Sequence, residues 1–418
     1  MSATNDLNGL FKKVYGDGTI KAVPKFAKLM QEIPFSQQEK LGDMYEVPVL
    51  LQHEHGFSYG AHGDGAFTLN AAVAGSVQKA QVRGSMIVLR SRLSYEDVYK
   101  ASQAGAAAFE SATSLVVDNM QRSFAKRLEL SFLYGQRGLG TVGTFASHIA
   151  TISDATWAPG IWSAMKDCVL SSYTGVTGSD TAHDAASGTG TTTGLIVSAV
   201  DVANKQINFG TSDSTTVAGD VLSFFGSRTA SAFKECAGID KIMSNTGTLF
   251  NISASVSSGY ELWKANSRAV GGAISMLAIQ NGVADAVNMG LMEDAKVYLA
   301  TKRWNALNSN EAALRRYGSY SQKAENGSES IVYHSANGAN EMVAHPFVKE
   351  GEAFLVPNPK KRIKRVGASD VTFRRPGKSE EIFLEVPDVA GLELRAFADQ
   401  AIVIETPAQC TKYTGITD

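Results

Sequence analysis

The chain is short of cysteine, of net charge and of long apolar runs, and each shortage removes a class of protein. Three cysteines, Cys168, Cys236 and Cys410, in 418 residues are too few and too far apart for a disulfide framework or a paired-thiolate metal site. Lysine and arginine together number 39 against 41 acids, a formal net charge of -2, so no whole-molecule field draws in nucleic acid or an anionic membrane. Any such contact must be local. No run reaches the roughly 18 apolar residues of a membrane-crossing helix. The opening MSATNDLNGLFKK lacks the apolar core of a secretion signal, which leads to the expectation of a soluble product made in the cytoplasm. The catalytic signatures G-x-S-x-G and HExxH and the phosphate loop are also missing. The expectation is of no enzyme, no cofactor and no membrane contact.

What is there is an ordinary folded composition, 44% hydrophobic and 19% charged, with length for two or three domains. Residues 1–50 mix short amphipathic pieces such as PKFAKLMQEI with prolines, the pattern of an arm laid over something. Residues 51–92 read as an extended loop, with YEVPVLLQ leading in and QVRGSMIVLRSRL returning around the glycine-rich stretch HEHGFSYGAHGDG. Between Gly60 and Gly84 its large apolar residues are few beyond Phe67 and Leu69, so it cannot form a core of its own. The same reasoning predicts that loop and arm alike bury their apolar residues only against neighbouring copies.

Residues 93–170 hold the clearest element. Ser94 and Asp97 fit a capping box, and Phe109, Ala112, Val116, Met120, Phe124, Leu128 and Phe132 make one apolar face of a helix from Ala106 to about Tyr134. YGQRGLGTVG after it reads as a loop. Residues 171–250 turn to Gly, Ser and Thr and then to short runs, LIVSAVDV, KQINF and VLSFFG, a small inserted β module. Residues 251–368 predict a helix over SMLAIQNGVADAVNMG, a strand at AKVYLAT, a second helix around RWNALNS and a type I′ turn at Asn337-Gly338. Residues 369–418 read as long strands.

His53, His55 and His62 with Glu54 and Asp64 suggest a divalent metal site. Against that, a glycine-rich segment offers no rigid element to orient the ligands, and the preferred reading is a loop contacting another subunit. The run KKRIKRV, Lys360 to Val366, could meet phosphates, but a solvated run or pairing between subunits is preferred. Trp157, Trp162, Trp263 and Trp304 are taken as core or interface anchors.

Several stretches together resemble the major capsid protein of tailed bacteriophages, of the Hong Kong 97 type: YELWKANSRAVGGAIS, NMGLMEDAKVYLATKRWNAL, EAALRRYGSYSQKAENGSESIVYHS and VGASDVTFRRPGKSEEIFLEVPDVAGLELRAFADQA. The resemblance implies an α+β fold: an N-terminal arm, an E-loop, a peripheral domain with a long spine helix, and an axial domain. Here a small β module would be inserted, and the segment after residue 369 would supply the peripheral domain's β-arm and C-terminal strand. It implies a subunit that closes with itself into pentamers and hexamers, forming an icosahedral shell around double-stranded DNA in the virion after assembly in the host cytoplasm. His55, Phe57, Phe67 and Leu69 would be intersubunit contacts. Arg374 and Arg375 would pair with a neighbour's Glu380 or Glu381. A portal, a separate scaffolding protein, decoration proteins and weak non-specific contact with packaged DNA are the further partners implied, the scaffold because the arm begins almost at Met1. The alternatives are an encapsulin-like nanocompartment of the same fold and, from another class, a secreted β-rich hydrolase or adhesin that would bind metal as a monomer.

Overall fold

Between Ala106 and Tyr134 the apolar residues recur every three to four positions without a proline, and the computed structural model forms a 29-residue helix there, about 43 Å long at ~1.5 Å per residue. Met120, Phe124, Leu128 and Phe132 are buried on its inner face. The residues the structure describes are 28–33, 35, 44–63, 65–94, 96, 106–183, 194–210, 215–229, 231–255, 260–315, 331–373, 383–385 and 391–418, with the side chains of Phe109 and Ala112 outside the description. The chain divides into two units: stretches up to Gly42, 84–238 and 365–402 make the first, and 43–83, 239–364 and 403–418 the second.

In the first unit, Ser94 stands immediately before residues that lie outside the description, 95 and 97–105. It ends the strand Ser85–Ser94, whose ten residues all find partners on the strand Gly391–Ile404, Ser94 opposite Gly391. Asp97, its predicted capping-box partner, lies outside the described residues. At its other end the spine helix meets the segment leaving residue 235 backbone to backbone. A Cβ on Gly238 would stand 2.6 Å from the Gly135 nitrogen, so only glycine fits there. The Gln136 N–H donates to Glu235 Oε1 at 2.8 Å and its side-chain amide to the Glu235 carbonyl at 3.0 Å.

The described part of the arm is not waiting for a neighbour. Leu29 and Ile33, on and just past the short helix Lys28–Glu32, are fully buried within their own unit. The buried carboxylate of Glu129 on the spine helix takes the N–H groups of Leu29 and Met30 at 2.7 and 3.0 Å. A helix start with its first donors met by an anion is a stable seat. Arg365 closes it from the other side, donating to the Ile33 carbonyl at 3.1 Å and to Gln400 and Asp370 at 2.7 and 2.9 Å. The expectation that the arm packs only on other copies is corrected for residues 28–35: charged partners hidden in the spine helix and the strand Ile363–Thr372 hold them.

The β-rich region is one antiparallel seven-stranded sheet in the order Leu195–Ile196, Val169–Tyr173, Val221–Phe224, Gly140–Ala146, Ile149–Ile152, Gln206–Asn208, Ala199–Asp201. Two of its strands, Gly140–Ala146 and Ile149–Ile152, come before residue 171, so the module is not a clean insertion at that point. The glycine-rich stretch after the spine helix is only partly a loop, since Gly140 already starts a strand. Trp157 and Trp162 stack at 6.4 Å in the core nearby.

The second unit centres on a six-stranded sheet, in the order Asn266–Gly272, Thr411–Ile416, Ala353–Pro357, Ala295–Ala300, Gly338–His345, Ile331–Ser335. One face packs on the helices Met276–Asn288 and Thr301–Arg315, burying Ile279, Val283, Leu299, Leu307 and Tyr413. Gly282 is the close-approach point, since a Cβ there would stand 2.2 Å from the Tyr413 hydroxyl. Trp263 and Trp304 anchor through their indole N–H groups to the carbonyls of Leu249 and Met342. The turn at 337 differs from the predicted type I′. Ser335 pairs with Gly338, leaving Ala336 and Asn337 as the turn, and positive φ falls on Gly338 alone (125°). Asn337 serves through its amide, which donates to the Glu293 carbonyl and to Asn340 Oδ1, both at 2.9 Å.

Candidate assembly surface

The strands Tyr45–Leu50 and Val77–Val82 pair antiparallel, from Tyr45 opposite Val82 to Leu50 opposite Val77. Beyond Leu50 the regular ladder stops, yet the two limbs stay side by side. Leu51 N–H reaches the Ser76 carbonyl at 2.8 Å and His55 N–H the Val73 carbonyl at 3.0 Å. Asn70 donates through its side chain to the Phe57 carbonyl at 2.8 Å and through its backbone to Ser58 Oγ at 2.6 Å. Two glycines permit this approach: a Cβ on Gly75 would stand 2.7 Å from the Gln52 carbonyl, and one on Gly60 would stand 2.7 Å from the Phe67 ring. The return of the predicted loop is cut at Gly84, because Val77–Val82 belongs to this ribbon while Ser85–Ser94 joins the first unit's sheet. The ribbon's base is held by Gln81 N–H on the Phe250 carbonyl at 2.9 Å.

Extended side chains alternate between faces. On the return limb the odd positions Phe67, Leu69, Ala71, Val73, Gly75 and Val77 are all apolar or glycine, and the even ones are polar or alanine. Leu50 lies opposite Val77, and Gly60 lies under Phe67, which places both on that same aliphatic face. On the outgoing limb the register slips by one residue between the Leu51–Ser76 and His55–Val73 bonds. The four predicted contacts, His55, Phe57, Phe67 and Leu69, are all exposed on one ribbon. Leu69 is 75% exposed, Phe57 69%, and the unpredicted Tyr59 92%. Leu50, Val73 and Val77 are also largely exposed and were missed. The two-residue alternation through 67–77 was the signal for them. Covering each of these side chains on association contributes about 1–2 kcal/mol at the usual ~25 cal/mol per Å². Apolar surface of this extent is uncommon on a free subunit.

Arg374, Arg375, Glu380 and Glu381 lie outside the described residues, as does Asp64. Among the described residues no three His, Cys, Asp or Glu side chains gather as metal ligands. In the basic run, Arg362 pairs with Glu293 and Glu405, Lys364 with Glu405 at 3.1 Å, and Arg365 with Asp370. Charges so engaged are poorly available to phosphates, and Lys360 and Lys361 are the run's exposed members.

No protein-family model and no curated protein sequence matches the chain. Among solved structures, the capsid asymmetric unit of cyanophage A-1(L) is similar over 99% of both chains, with a TM-score of 0.56 at 10% identity. The capsid of a native GTA particle covers 100% of this chain and 99% of its own at TM-score 0.47 and 10% identity. The capsid of cyanophage P-SCSP1u covers 99% and 94% at TM-score 0.46 and 8% identity. The fold assignment rests on the first of these: the chain has an α+β phage capsid fold along its full length.

Proposed function

We propose that the chain is the major subunit of a tailed-phage head, closing with copies of itself into pentamers and hexamers around double-stranded DNA. The observation that carries this reading is the ribbon, an exposed apolar surface without a core of its own on a chain of phage capsid fold. Its work is mechanical. Each copy seats its ribbon on adjoining copies, so every closed contact removes apolar area from water and the complete container is more stable than any open fragment. The docked arm helix and the stiff spine keep each subunit's own shape while the ribbon adapts. No chemical step is required, and the place of action is the virion. A portal, a scaffolding protein and decoration proteins are the partners this role implies.

Electron microscopy of the purified chain, alone and with the other structural proteins of its particle, tests the proposal. Closed shells are expected, and the pair Phe67→Ser and Leu69→Ser is expected to abolish them while leaving the thermal unfolding of the free chain unchanged. Single dispersed chains under every condition, or a double variant that assembles as well as the parent, would overturn it.

A further inference from the structure

The second face of the six-stranded sheet, opposite the helices, holds a group of charges with no role in the ribbon. Lys412 lies on the strand Thr411–Ile416 directly across from Phe354 on the strand Ala353–Pro357. Its ammonium is paired with Asp240 from the short helix Ile239–Ile242, and with Glu352 Oε1 at 2.9 Å. The three side chains are almost wholly removed from water, Lys412 7% exposed, Asp240 2% and Glu352 17%. Around them stand fully buried apolar and aromatic groups: Phe354, whose ring lies 5.9 Å from the Lys412 nitrogen, and Ile239 and Ile242. Glu352 Oε2 is buried and accepts no hydrogen bond from the described residues.

Two carboxylates share this ammonium, and burying charges in such a place is costly. A primary amine held against a carboxyl group, in a dry pocket with a second carboxyl beside the amine, is also the arrangement that amide formation needs. The nucleophile and electrophile are pre-positioned, and a proton relay stands within hydrogen-bond reach. We propose that Lys412 and Asp240 join in an intramolecular isopeptide bond, with Glu352 as the proton relay.

The step balances without an oxidant or reductant. Glu352 takes a proton from the Lys412 ammonium, and the freed Nζ lone pair forms a bond to Asp240 Cγ. One Asp240 oxygen leaves as water, carrying off the proton held by Glu352 and a second from Nζ. An ammonium and a carboxylate become an amide and a water, the charge of the site is unchanged overall, and the amide N–H can still donate to Glu352 Oε1. The product ties the C-terminal strand to the first helix of the same unit across 172 residues of chain, from 240 to 412.

The test is the mass of the intact, denatured full-length chain, followed by peptide sequencing by mass spectrometry after proteolysis. The expected result is a chain lighter than its sequence by one water and a branched peptide joining the segments that carry Asp240 and Lys412. Asp240→Ala, Lys412→Met and Glu352→Gln should each restore the full sequence mass. Because the wild-type mass is read on unfolded protein, misfolding of a variant does not blur the result. A wild-type chain at full sequence mass, with Asp240 and Lys412 in separate linear peptides, would overturn the proposal and leave an ordinary buried ion triplet. A branched peptide retained in Glu352→Gln would equally remove the assigned relay.

Discussion

Glu235 sits where the spine helix ends, and desolvation there pushes its pKa up to about 7 from 4.5, against the pull of the Gln136 N–H and of the Arg127 and Arg228 guanidiniums. The folded chain therefore holds the proton more tightly than the unfolded one. The contribution of this group to stability is greatest below the unfolded value of 4.5 and is lost as pH rises through about 7. Glu235→Gln keeps an oxygen for the Gln136 N–H and removes the ionisation. The variant is expected to melt above the wild type at about pH 8 and to match it near pH 5, read by thermal unfolding across that range. A difference between the two proteins that does not change with pH would show that the carboxyl's charge is not the cause. Asp180 is the opposite case. Desolvation raises its pKa, but its bonds with Arg228, Thr177 and the Gly178 N–H outweigh that and hold the carboxyl below its ordinary range.

At the scale of elements, the ribbon depends on two limbs held within hydrogen-bond distance by glycine, and Gly75→Val tests that dependence. Its Cβ would meet the Gln52 carbonyl, a backbone atom that cannot swing aside. The limbs must part, so the amides of Leu51 and His55 should exchange with solvent at least about tenfold faster by hydrogen-exchange mass spectrometry, while the buried amides of Ala295–Ala300 are unaffected. Unchanged exchange at Leu51 and His55 would mean the limbs are held by something other than their close approach. The spine helix was legible in the sequence because its apolar residues recur with a period close to four, and the ribbon because two extended runs flank a glycine-rich stretch. The arm's seat was not, since Glu129 looks like any solvent-facing acid on a helix until its partners, 100 residues earlier, are brought to it. The placement of Ser85–Ser94 was hidden for a related reason: its ladder runs to Gly391, opposite Ser94, and an extended run does not reveal a partner that arrives from so far along the chain.

At the scale of the whole molecule, neither unit is a continuous piece of chain. The polypeptide passes from one to the other after Gly42, Arg83, Gly238, Lys364 and Ile402. A fragment spanning 84–238 holds the spine helix and the seven-stranded sheet but lacks the strand Gly391–Ile404, on which Ser85–Ser94 depends. Expressed alone it is expected to unfold without a cooperative transition, and adding a second fragment covering 365–402 should restore one; a cooperative melt from 84–238 by itself would refute this. The same connectivity sets a timetable on the ribosome. Arg92 is made 301 residues before the Glu393 it bonds, a wait of roughly 15–60 s at about 5–20 residues per second. Until then the exposed edge of Ser85–Ser94 is a hazard for mispairing between nascent chains on one message, so slowed translation of the last hundred codons should lower the yield of soluble subunit more than slowed translation of the first hundred.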